Sequence, residues 1–155
     1  MIKGIAKSTL DLILNLGKSS HPQEFVGLLS AEEGIISDVL FLSGTVSSHE
    51  SALLRLDQLP FGMGVVGSAH SHPSGSNLPS RADLGLFSKV GNYNLIVCYP
   101  YGAKDWACYS SKGELLELKV LDVEPKGTSD EQEELIRDLT EAGLLEPDDL
   151  TDQDE

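Results

Sequence analysis

His70, Ser71 and His72 put two imidazoles at alternate positions, and Asp83 follows after an interval of ten residues. On a strand, side chains at i and i+2 leave the same face, so both rings can converge on one point without bending the backbone. A carboxylate in the first turn of a following helix reaches back over the strand end. Two imidazole nitrogens and one carboxylate oxygen make the protein share of a catalytic zinc shell, with the fourth position open for water. Borderline-soft Zn²⁺ suits this donor set, whereas Mg²⁺ and Ca²⁺ prefer oxygens, and iron on two histidines and a carboxylate is the main rival. Zinc brings the pKa of a bound water down to roughly 7, which points to a hydrolase.

Such a site also needs a carboxylate outside the metal shell to take a proton and pass it to a leaving amine. Glu24 is the candidate. It precedes the run Phe25-Val26-Gly27-Leu28-Leu29, where an acid at a strand start is expected to be partly desolvated. Nucleophile signatures are missing: there is no G-x-S-x-G elbow, and neither Cys98 nor Cys108 stands beside a histidine in a catalytic pattern. His21 and His49 have no such company and read as bystanders.

The elements that must position these groups follow from local pattern. Leu12, Ile13 and Leu16 lie at helical spacing behind Ser8, with Gly17 as a stop, so residues 8–16 are expected to form a helix. Residues 24–29 and 35–42 are apolar runs separated by Ala31-Glu32-Glu33-Gly34, a hairpin signature that predicts two central strands. Residues 49–57 fit a helix or a strand, the strand being weakly preferred. Residues 64–69 are small and apolar and run into His70-Ser71-His72-Pro73, as a buried strand reaching a sheet end would. A Pro/Gly/Ser/Asn-rich loop over residues 73–79 leads to Ser80-x-x-Asp83, which predicts a helix starting at Ser80 with Ala82, Leu86, Phe87 and Val90 on its apolar face. Residues 93–99, 106–110 and 115–120 are expected as an antiparallel meander on one side of an α+β domain.

A chain of 155 residues favours one compact core. Its net charge of −14 is uneven: residues 1–121 carry nine Lys/Arg against eleven Asp/Glu, and residues 122–155 two against fourteen. The division expected is a catalytic domain over 1–123 and, over 124–155, an acidic helix and tail that aid solubility, with a docking role for Leu135, Ile136 and Leu139 as the alternative. The nearly neutral body lacks the clustered Lys/Arg that phosphate binding requires, which argues against nucleic acid. No apolar run approaches the roughly twenty residues of a membrane helix. Asp11 and Asn15 interrupt the leucine-rich start, so it does not read as a secretory segment and a cytoplasmic protein is expected. Cys98 and Cys108 lack C-x-x-C spacing and read as two buried thiols, with a bridge across the turn between them as the alternative.

Glu24 with Val26-Gly27-Leu28-Leu29, then Gly67-Ser68-Ala69-His70-Ser71-His72-Pro73, then Pro79-Ser80-x-x-Asp83, resembles the JAMM motif of the MPN+ metalloproteases, most closely their compact archaeal and bacterial members. The resemblance covers residues 1 to about 122. It implies a three-layer α/β/α fold around a curved mixed sheet, of the cytidine-deaminase-like kind, with one zinc per chain. It also implies an isopeptidase that cleaves the bond between the C-terminus of a ubiquitin-like modifier and a target lysine, as desampylases do. By position, His70, His72 and Asp83 match the zinc ligands, Glu24 the general acid/base, and Ser80 the serine that steadies the oxyanion. Two alternatives stay open: a hydrolase releasing an amino acid from a sulfur-carrier C-terminus, and a noncatalytic MPN scaffold.

Overall fold

The computed structural model describes residues 1–41 and 64–123. The segment 49–57, His49, and the acidic helix and tail expected from 124 lie outside the described residues. In chain order the elements are β1 (Gly4–Ala6), α1 (Lys7–Ser20), β2 (Val26–Glu32), β3 (Ile35–Phe41), β4 (Val65–His72), α2 (Arg81–Val90), β5 (Tyr93–Cys98), β6 (Trp106–Tyr109), β7 (Leu115–Leu116) and β8 (Val120–Leu121). The strands form one mixed sheet in the order β7-β6-β5-β4-β2-β3-β1-β8. Among the described residues no helix is long and apolar enough to cross a membrane.

The hairpin expected after residue 24 is present, and β2 is central. Glu33 and Gly34 join β2 to β3 with φ of 54° and 82°, the left-handed pair that a two-residue hairpin turn needs to match strand twist. β4 pairs antiparallel with β2 and parallel with β5, and α2 supplies the crossover that parallel neighbours require. Pairing shifts beside Ser30 on both flanks of β2, irregularities of the kind that bend a strand and increase local twist.

The sheet is strongly curled, as chain length alone demonstrates. β7 and β8 are its opposite edges, yet only Glu117, Leu118 and Lys119 separate them in sequence. Four residue steps reach at most about 14 Å, whereas eight strands laid flat would span roughly 33 Å. The single strand expected over residues 115–120 is therefore two. Leu115–Leu116 pairs with β6, Val120–Leu121 pairs with β1, and Leu118 turns into the core between them.

Two helices cover opposite faces, giving the α/β/α layering. The inward side chains of α1, with Leu10, Ile13 and Leu16 among them, pack with Leu29, Ala69, Leu95 and Val97. On the other face, Leu86 and Val90 of α2 meet Val26 and Leu28, while Phe87 meets Ile96 and Tyr109. Fully burying such a side chain contributes about 1.5–3 kcal/mol. Strand alternation sorts these sets, since consecutive residues of β2 and β5 point to different helices.

Several boundaries differ from expectation. α1 starts at Lys7 with Ala6 as an N-cap that makes no side-chain bond, so Ser8 is not the cap. Gly17 does not stop the helix. It is a close-approach site, where a Cβ would lie 2.9 Å from the Tyr101 ring. The helix ends three residues later, before His21-Pro22, because the residue preceding a proline is pushed out of the helical region. Ala82 is exposed, and the buried face of α2 is Asp83, Leu86, Phe87 and Val90. Cys98 and Cys108 are free and buried: Cys108 pairs with Leu95 in the β5–β6 register, three residues from Cys98, so the bridge alternative is excluded by about 10 Å of strand.

Candidate metal centre

The even-numbered residues of β4, Ser68, His70 and His72, face α2; the His70 ring stands edge-on to Phe87 of that helix at 5.4 Å. Both histidines are buried, His70 at 1 % exposure and His72 at 9 %. The loop after Pro73 brings the chain to Ser80, the N-cap of α2. Ser80 Oγ accepts from the Asp83 amide at 3.1 Å, and Asp83 Oδ2 accepts from the Ser80 amide at 2.9 Å, the expected capping box. This box turns a carboxylate that is 2 % exposed toward the strand end. Asp83 Oδ2 lies 2.9 Å from His72 Nε2 and Asp83 Oδ1 lies 3.5 Å from His70 Nδ1.

The donor set fits zinc by type: two imidazole nitrogens and a carboxylate, all buried, meet at a sheet end and a helix N-terminus. Among the described residues no group of three or more His, Cys, Asp or Glu is spread around a metal-sized point, since Asp83 reaches His72 directly. Accommodating an ion means exchanging that hydrogen bond for two metal bonds. The bond to Asp83 is also the main reason that the His72 imidazolium is favoured and its pKa raised above 6.5; burial opposes this, and the Ser76 carbonyl and the charges of Asp83 and Glu24 add to it.

Glu24 is tied to the same strand by backbone geometry. The Phe25 amide donates to Ser71 Oγ at 2.7 Å, and the Ser71 amide donates to the Phe25 carbonyl at 2.9 Å. Val26 pairs with His70, so extending that register sets Glu24 opposite His72, and alternation sends both side chains to the α2 face. Its charge is felt at His72. The expectation of partial desolvation does not hold: Glu24 is exposed, because it lies two residues ahead of β2, just past the His21-Pro22 turn. Ser80 is exposed as well.

The supporting residues were not legible as such. Ser68 Oγ donates to Asn94 Oδ1 and lies 2.7 Å from His70 Nε2; His72 Nδ1 faces the Ser76 carbonyl at 3.1 Å. Tyr101, 7 % exposed, donates its hydroxyl proton to the His72 carbonyl at 3.2 Å and sits 2.9 Å from His21 Nδ1. His21 also stacks on Tyr99 at 5.1 Å, and Tyr101 links it to the main chain of β4. The available signal was single polar residues, Ser68 and Asn94, inside otherwise small or apolar strands.

Residues 6–109 match the family described as prokaryotic homologs of the JAB domain. A protein of Haloferax volcanii described as a probable metalloprotease is 40 % identical over 133 residues, covering 79 % of this chain and 82 % of its own length. A JAB1/MPN domain protein from Archaeoglobus fulgidus is similar in structure, with a TM-score of 0.63 and 40 % identity over 78 % of this chain and 97 % of that one. A structure described as JAMM, a metalloprotease-like zinc site in the proteasome and signalosome, has the same TM-score at 38 % identity, covering 78 % and 99 %.

Proposed function

The chain belongs to the prokaryotic homologs of the JAB domain, and from that premise we propose that it is a zinc-dependent isopeptidase. Its substrate in this reading is the bond between the C-terminus of a ubiquitin-like modifier and a target lysine. The observation that carries the reading is the meeting of Asp83 with both histidines, 2.9 Å from His72 and 3.5 Å from His70, on a strand end that Glu24 also faces. The metalloprotease description of the Haloferax relative and the zinc site of the JAMM structure support it.

His70, His72 and Asp83 would hold the ion. Zinc, when bound, supplies Lewis acidity that makes water a nucleophile near neutral pH. Glu24, solvent-accessible and anchored through Phe25 to Ser71, takes a proton at its carboxylate and returns it to the leaving lysine amine. Ser80 Oγ already accepts one bond from the Asp83 amide. Its own proton remains free to donate, which is what steadying a developing oxyanion requires. The modifier tail would lie extended past the loop from Pro73 to Pro79, whose first four residues are exposed.

Purified zinc-loaded protein is tested on a modifier joined to lysine by an isopeptide bond, with and without chelator. Cleavage that chelator abolishes and zinc restores is expected. Failure of the stoichiometrically loaded protein to cut any such conjugate overturns the reading, and release of an amino acid from a sulfur-carrier C-terminus in its place would redirect it.

A further inference from the structure

Asn94 of β5 has no solvent exposure, and its Nδ2 donates to two main-chain carbonyls, Gly91 at 2.9 Å and Tyr109 at 3.2 Å. A carbonyl only accepts, so these bonds fix which end of the amide is which and turn Oδ1 toward Ser68. Ser68, equally buried, lies 2.7 Å from that oxygen and 2.7 Å from His70 Nε2. Asn94 Oδ1 only accepts as well. The single hydroxyl proton of Ser68 must therefore go to Asn94, and the ring nitrogen on its other side must bring a proton of its own.

We infer that Asn94 and Ser68 are positioning residues that hold His70 as the Nε2–H tautomer and so make Nδ1 its metal-binding nitrogen. Nδ1 is the atom that faces Asp83 Oδ1 at 3.5 Å. His72 is set the other way: its Nδ1 faces the Ser76 carbonyl at 3.1 Å, which demands a proton there and leaves Nε2 toward Asp83. The two histidines thus present different ring nitrogens to one centre, each orientation selected by an acceptor on the far side of its ring. Ser68 has no bond of its own to the main chain among those that define the relay. Its direction is inherited from Asn94, and through Asn94 from the backbone at the end of α2 and on β6.

The inference rests on the zinc reading of the site, and its test is separable from activity. In the ¹⁵N-labelled full chain stripped of metal by chelator, two-bond proton–nitrogen correlation spectra should show His70 protonated at Nε2. A ring protonated at Nδ1 alone overturns the inference, without any variant having to fold. Ser68→Ala, with an unchanged circular dichroism spectrum, should bind zinc about 10- to 100-fold more weakly in a chelator competition and show a mixed His70 tautomer. Ser68→Thr, which keeps the hydroxyl, should retain the wild-type tautomer. Wild-type zinc affinity in folded Ser68→Ala overturns the relay while leaving the isopeptidase reading intact; tight zinc binding by a protein that cuts no conjugate does the reverse.

Discussion

Asp83 and Ser80 cap one another reciprocally, and the oxygen of Asp83 that accepts from the Ser80 amide is the same Oδ2 that lies 2.9 Å from His72 Nε2. Helix start and proposed metal ligand are one carboxylate. Asp83→Asn keeps an oxygen for the cap but loses the anionic ligand, so zinc affinity should fall at least 10-fold with little change in melting temperature. Asp83→Ala also removes the carboxylate half of the capping box, leaving the Ser80 Oγ bond to the residue-83 amide, and should lose up to about 1 kcal/mol of stability in addition. Wild-type zinc affinity in Asp83→Asn, or equal melting temperatures for the two variants, would contradict the dual role.

Glu24→Gln leaves the proposed ligands untouched and keeps the backbone bonds of Phe25 to Ser71. Zinc stoichiometry should stay at the wild-type value while turnover drops by roughly 10²- to 10⁴-fold, the range for loss of a positioned acid/base. Metal analysis run beside the isopeptide assay checks both halves.

Ser80→Ala distinguishes capping from catalysis. Loss of the cap alone costs about 1 kcal/mol, whereas loss of an oxyanion donor lowers kcat by about 10²- to 10³-fold. Thermal melting and kcat measured on the same preparation should show both effects, and a kcat that stays at the wild-type value would confine Ser80 to the cap.

Burial pushes the Cys108 thiol up to about 11 and raises that of Cys98. Both should resist alkylation near neutral pH in the folded protein and react promptly once it is unfolded. The folded Cys108 thiol titrates above its unfolded value of 9.0, so the unfolded chain ionises first, and this thiol's contribution to stability is complete below pH 9 and fades as pH climbs toward 11. Melting curves across that window should be flatter for Cys108→Ala than for the wild type.

The parts of the fold readable in the sequence were those in which short-range chemistry decides the outcome. Gly34 readily takes the left-handed conformation that a tight turn between two apolar runs needs, and Ser80-x-x-Asp83 caps its own helix. His70-x-His72 needs only strand alternation to share a face. The parts not encoded locally depend on residues distant in the chain. Gly17 looks like a helix stop until Tyr101 is seen packed against it. The apolar alternation from Leu115 to Val120 looks like one strand until sheet curl sends its halves to opposite edges. Three-residue β1 is specified by its parallel neighbours β3 and β8 rather than by its own composition. Ser68 and Asn94 are ordinary polar residues until their strands become parallel partners in register.

The tripeptide Glu117 to Lys119 laces the two borders of the sheet together, so the sheet behaves as a hoop rather than a plank. Leu118, between the two borders, packs in the same core as Leu29 of β2 and Ala69 of β4, beside the residues that precede Val26 and the strand end bearing His70 and His72. Glycines spliced into that lacing should slacken the hoop and weaken zinc binding in a chelator competition while leaving the proposed ligands His70, His72 and Asp83 unaltered.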